Sequence, residues 1–96
     1  MKIVWTPAAQ DDYWNNISFL KRKWSEKEVE AFMNKTESIL QTLTSGNVSY
    51  TSATNLLNVH KIPIVKQVIL FYMIKENTLY LLRFWSAFKN PDDFSI

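Results

Sequence analysis

Hydrophobic positions are densest between Val68 and Trp85, where VILFYMI and TLYLLRFW flank the polar break Lys75, Glu76 and Asn77. Each run is short for a helix and rich in β-branched and aromatic residues, and Asn77 sits at a turn position. The stretch therefore predicts an antiparallel β-hairpin. Neither run alternates. Val68, Leu70, Tyr72 and Ile74 point to one face and Ile69, Phe71 and Met73 to the other, and both sets are apolar. A sheet with one solvated face carries polar residues at every second position, so both faces of this hairpin need cover. A two-residue turn at Glu76 and Asn77 sets Leu70 opposite Arg83, whereas a bulge flips the outer half of the register. Which apolar set meets the rest of the fold stays open.

The period changes towards the N-terminus. Ile3, Val4 and Trp5 read as a short strand, followed by Thr6 as a helix N-cap and Pro7 at the first helical position, where a missing N–H does no harm. Ala9, Tyr13, Ile17, Leu20 and Trp24 recur at helical spacing. Asp11 and Asp12 are expected in the first turn and Lys21, Arg22 and Lys23 in the last, as the helix dipole favours. A second helix is predicted from Ser25, with Ser25 and Glu28 at capping-box spacing and a stop at Gly46. Its stripe is Val29, Phe32, Met33, Thr36, Ile39, Leu40 and Leu43.

Thr44 to Asn55 is polar and aperiodic, a long loop for a small domain. Leu56 to Val65 reads as a strand that Pro63 confines to an edge or a bulge, and Asn90-Pro91 ends the regular structure. The order β-α-α-β-β-β over residues 1–96 predicts one α+β domain. An N-terminal strand and a helical hairpin would pack on one face of a mostly antiparallel four-stranded sheet. Two helices cover one face only. The second apolar face, Ile69, Phe71 and Met73 or the opposite set, is left for a partner, another copy of the chain or the C-terminal tail.

Composition narrows the chemistry. No cysteine means no disulfide, thiolate nucleophile or cysteine-ligated metal, and a single histidine leaves no metal site to expect. One glycine excludes a glycine-rich phosphate loop, so no cofactor is expected. MKIVWTP is no signal peptide, and the longest apolar run falls far below the ~20 residues of a membrane span. A soluble, cytoplasmic chain without membrane contact is the expectation. The acidic residues fall in the helices, the Lys75–Asn77 turn and the tail, which argues against paired catalytic carboxylates on the sheet. A net charge of +2 is too weak to argue nucleic-acid binding from the total.

What remains is a basic-aromatic set: His60, Lys61, Lys66, Arg83 and Lys89 with Tyr72, Trp85 and Phe88. Cations that hold phosphates beside rings that stack on bases suit single-stranded RNA. His60 has the pKa range of a general base for a 2′-OH. The plainer reading, solvated lysines at strand ends and an ordinary strand histidine, is the commoner outcome for such residues.

The opening IVWTPAAQDDYWNNISFL, the closing HKIPIVKQVILFYMIKENTLYLLRFW and the element order together resemble the RelE/ParE superfamily of toxins from bacterial type II toxin–antitoxin modules. The likeness covers nearly the whole chain. It implies a toxin neutralised by a cognate antitoxin, which would cover the second apolar face with a helix or extended segment. It also implies one of two targets: mRNA on the ribosome, which is cleaved, or DNA gyrase, which is poisoned without a cut.

For RNA cleavage, Arg83 and Lys89 would hold the phosphate and its developing charge, His60 would accept the proton, and Lys61, Lys66 and Trp85 would bind RNA. In the branch that this chain resembles, the last strand usually runs into an Asp-Asn-Arg-Gln-Asn-Pro segment. Here Phe88 stands at the arginine, His60 at the basic position opening the second strand, and Met73 where an arginine often follows the tyrosine of the third. Lysines do not replace the bidentate clamp of arginine on phosphate. These departures favour a weak or non-enzymatic toxin. A ribosome-dependent mRNA endonuclease is the alternative, and a non-toxic homodimerising interaction domain is a third reading.

Overall fold

The computed structural model describes residues 1–45 and 59–86. The order is β1 (Lys2–Trp5), α1 (Pro7–Lys23), α2 (Glu26–Thr44), β2 (Val59–Val65), β3 (Val68–Lys75) and β4 (Thr78–Ser86). The four strands form one sheet in the order β1-β4-β3-β2. β2, β3 and β4 run antiparallel in succession, and β1 lies parallel to β4, so the α+β sheet is mixed. Among the described residues no helix is long and apolar enough to cross a membrane.

The β3–β4 hairpin turns on Glu76 and Asn77, at φ 52° and 57°. Left-handed backbone at both central residues is a type I′ turn, whose twist matches that of the strands it joins. From Lys75 opposite Thr78 the register runs unbroken to Tyr72 opposite Leu81. Leu82 is then the extra residue of a bulge, and beyond it Phe71 faces Arg83 and Leu70 faces Phe84.

The bulge lets Leu79, Leu81 and Phe84 share the helix side despite their uneven spacing. There they join Val68, Leu70, Tyr72, Ile62 and Ile64 with Leu20, Phe32, Ile39 and Leu43 of the helices. On the far side Val59, Phe71 and Trp85 form a second cluster with Ile69 and Leu82. Both faces are therefore apolar because both carry a core. β2 is an edge strand, and its register shifts between Pro63 and Val65, so Pro63 occupies both of the places open to it.

The helix ends correct two expectations. Thr6 caps α1, accepting the Ala9 N–H at 3.2 Å and donating to the Leu81 carbonyl at 2.7 Å. The first turn of α1 holds no acidic residue, because the helix starts at Pro7 and Asp11 and Asp12 come a turn later. Ser25 makes no side-chain cap on α2, and the Glu28 N–H bonds to the Ser25 carbonyl, so no capping box forms. Of the expected stripes, Trp24 and Met33 are exposed, while Asp12 and Asn16 take buried places on α1. The Gly46 stop, most of the long loop, Leu56 to Asn58 of the predicted strand, and the tail with Asn90-Pro91 lie outside the described residues.

Candidate functional site

β4 outlasts its neighbour. β1 pairs with it only as far as Trp5 opposite Leu81, and beyond that point helix α1 takes the place of a strand. Asp12 Oδ2 accepts the Phe84 N–H at 3.2 Å, and Asn16 Nδ2 donates to the Phe84 carbonyl at 2.9 Å. Two side chains one helical turn apart thus satisfy both backbone groups of Phe84, as a paired strand would.

The same carboxylate holds Arg83. Its Nε donates to Asp12 Oδ2 at 2.6 Å and its Nη2 to Oδ1 at 3.1 Å, a bidentate pair. The two side chains are 16% and 5% exposed, so water screens the pair weakly. The hydrogen bond to Asp12 raises the guanidinium pKa above its ordinary value, against the opposing effect of partial burial. The guanidinium carbon also lies 5.3 Å from the centre of the Trp85 ring. Sequence reasoning missed Asp12 and Asn16. Their signal was weak: a pair of polar residues four apart that borders the arc spanned by Ala9, Leu20 and Tyr13, with Asn16 about 20° and Asp12 about 60° outside it.

The sheet sorts the predicted site residues by face. Lys61, Phe71 and Arg83 stand in one cross-strand row on the far side, with Trp85 opposite Ile69 in the next. Lys61, Arg83 and Trp85 are thereby brought together. His60 is level with Tyr72 on the helix side, its ring stacked at 5.5 Å and 29°. His60 and Arg83 are thus separated by β3 and directed to opposite faces. Lys66 sits in the β2–β3 turn with its Nζ 5.7 Å over the Trp24 ring, and Lys89 and Phe88 lie outside the described residues. Of the residues expected to meet a partner, Phe71 is buried and Ile69 and Met73 are half-buried. Among the described residues no group of three histidine or acidic side chains stands ready for a metal.

A second surface feature lies beside β1. Two adjoining depressions of about 290 and 300 Å³ share Trp5 and Tyr13. One extends to Met33 and Glu37 and the other to Gln10 and Trp14.

No protein-family model matches the chain, and no curated protein matches it in sequence. Solved structures do match in fold. A chain of the chromosomal ParDE toxin–antitoxin system from P. aeruginosa superposes with a TM-score of 0.67 at 13% identity, over 90% of this chain and 95% of that one. The YoeB dimer from Staphylococcus aureus gives 0.65 at 14% identity, over 92% and 98%. The YoeB–YefM complex from the same organism gives 0.63 at 14%, over the same shares. The fold is that of the ParE and YoeB toxins, and at these identities the likeness is one of fold.

Proposed function

We propose that this chain, whose fold is that of the RelE/ParE superfamily, is the toxin of a type II toxin–antitoxin pair and acts by occupying its target rather than by cutting RNA. The observation that supports this reading is the bidentate Arg83–Asp12 pair. Cleavage through a 2′-OH needs a proton acceptor, a proton donor and a cation for the developing charge. Arg83 has its charge compensated and two N–H groups committed to Asp12, and His60 is directed to the other face of the sheet.

What the far side offers instead is a contact surface: exposed Lys61, then Arg83 held over Trp85. Of the two targets implied by the resemblance, DNA gyrase is the one blocked without a cut. The complex of S. aureus YoeB with YefM supports a cognate antitoxin as the partner here. The YoeB dimer supports self-association as the other way of covering an apolar face.

Ribosome-dependent mRNA cleavage is the second reading, favoured by the gathering of Lys61, Arg83 and Trp85 on one face. Induced expression in bacteria tests the toxin reading in either form. Growth arrest is expected, relieved when the protein encoded by the adjacent gene is co-expressed. Unchanged growth overturns both forms and leaves a homodimerising interaction domain.

A further inference from the structure

The two edges of the sheet differ. β2 carries Pro63, a register shift and exposed Lys61, all features that discourage another strand from adding. β1 has neither the proline nor the shift, although its first residue, Lys2, is exposed. It is the plain sequence KIVW with Ile3 exposed, and among the described residues no strand lies on its outer side.

The two depressions beside it have aromatic walls. Trp5 and Tyr13 meet at 5.2 Å and 80°, and Tyr13 and Trp14 at 5.5 Å and 83°, so successive rings stand nearly perpendicular. Trp14 is 62% exposed, the most open of the large apolar side chains described. Glu37 is the one charged residue among the described residues lining either depression, and it forms no ion pair with any of them. Tyr13 registers that carboxylate: burial first and Glu37 second hold its hydroxyl protonated above the ordinary range. Among the described residues, aromatic faces and a carboxylate without an ion pair thus meet beside an unpaired strand edge.

We propose that this corner binds an extended segment of a partner polypeptide, which pairs with β1 through its backbone and places an arginine side chain in the depression between Trp5, Tyr13 and Glu37. Ring faces attract a cation, and a planar guanidinium can stack on a ring while donating to a carboxylate. A purely apolar side chain would strip water from Glu37 and give nothing back. An acidic segment, or a phosphate-bearing surface, would be repelled. The partner's existence belongs to the toxin–antitoxin reading, but the chemistry of the corner stands without growth arrest.

The test is a titration of the ¹⁵N-labelled chain with two acetylated, amidated hexapeptides of alternating threonine and valine. They differ only in a central arginine or its neutral isostere citrulline. The arginine peptide is expected to shift the indole N–H signals of Trp5 and Trp14 and the amides of β1. It should bind roughly threefold or more tightly than the citrulline peptide, the scale of an exposed cation–π contact. Glu37→Gln should narrow that difference while leaving the spectrum elsewhere unchanged. Equal affinity for the two peptides, shifts along β2 instead, or no shifts at millimolar peptide would each overturn the proposal. None of these outcomes bears on growth arrest, so the two readings fail separately.

Discussion

Arg83 Nε lies 2.6 Å from Asp12 Oδ2, the same oxygen that accepts the Phe84 N–H. One carboxylate therefore fixes both the side chain on the bulge and the backbone just past it. Asp12→Ala would leave a mostly buried guanidinium without its counter-charge and the Phe84 N–H without an acceptor. The expected loss is about 3–5 kcal/mol, on the scale of breaking one side of a buried ion pair. Urea unfolding monitored by tryptophan fluorescence measures it. A loss below about 1 kcal/mol, the range of exposed pairs, would show that the pair contributes little.

Leu43 of α2 is 2% exposed in the helix-side core. Leu43→Ala should cost about 2–5 kcal/mol through lost burial and the cavity left behind. The half-buried Leu40 should lose less under the same change. Paired urea curves decide it, and an inverted order would mean that the helix is rotated from the face described.

The turn holds a correctable cost. Glu76 has φ 52°, a left-handed conformation that costs a residue with a Cβ roughly 1–2 kcal/mol. Glu76→Gly removes that penalty but adds freedom to the unfolded chain, so a net gain of about 0.5–1 kcal/mol is expected. A higher unfolding midpoint checks it, and a lower one would place the turn in another conformation.

Much of the fold was legible because hydrophobic period reports burial directly. The doubly apolar runs of β3 and β4 announced a hairpin whose two faces both need cover, and the far face, expected to lie open, carries a second cluster around Phe71 and Trp85. Thr6-Pro7 announced the start of α1, and Pro63 announced an edge. Register was harder, since Leu70 could face Arg83 or Phe84 until the bulge at Leu82 was located. That bulge is anchored by Asp12 and Asn16, which lie 72 and 68 residues from Phe84, and no local pattern carries such a pairing. Asp12 read as a dipole residue because its neighbours allowed it. The candidate site was legible as a set of residue types and not as an arrangement: alternation separates His60 from Lys61, while the bulge and Asp12 determine what Arg83 can do.

Burial and the Glu37 carboxylate both raise the pKa of Tyr13 above the usual 10.0. As pH rises, the unfolded chain loses this proton before the folded one does. The contribution to stability is therefore complete below pH 10.0 and declines as pH climbs through the raised value. The difference in ultraviolet titration between the native chain and Tyr13→Phe should show a tyrosine ionising late, and Glu37→Gln should bring it earlier. A Tyr13 transition unmoved by Glu37→Gln would remove the electrostatic contact.

Mapping mRNA 5′ ends after induction, in cells without the antitoxin, tests most directly whether this chain acts by occupation. The expected result is growth arrest with no new 5′ ends inside translated codons, and with arrest retained in His60→Ala. Fresh ends within codons, lost together with arrest in His60→Ala, would contradict it and establish the chain as a ribonuclease.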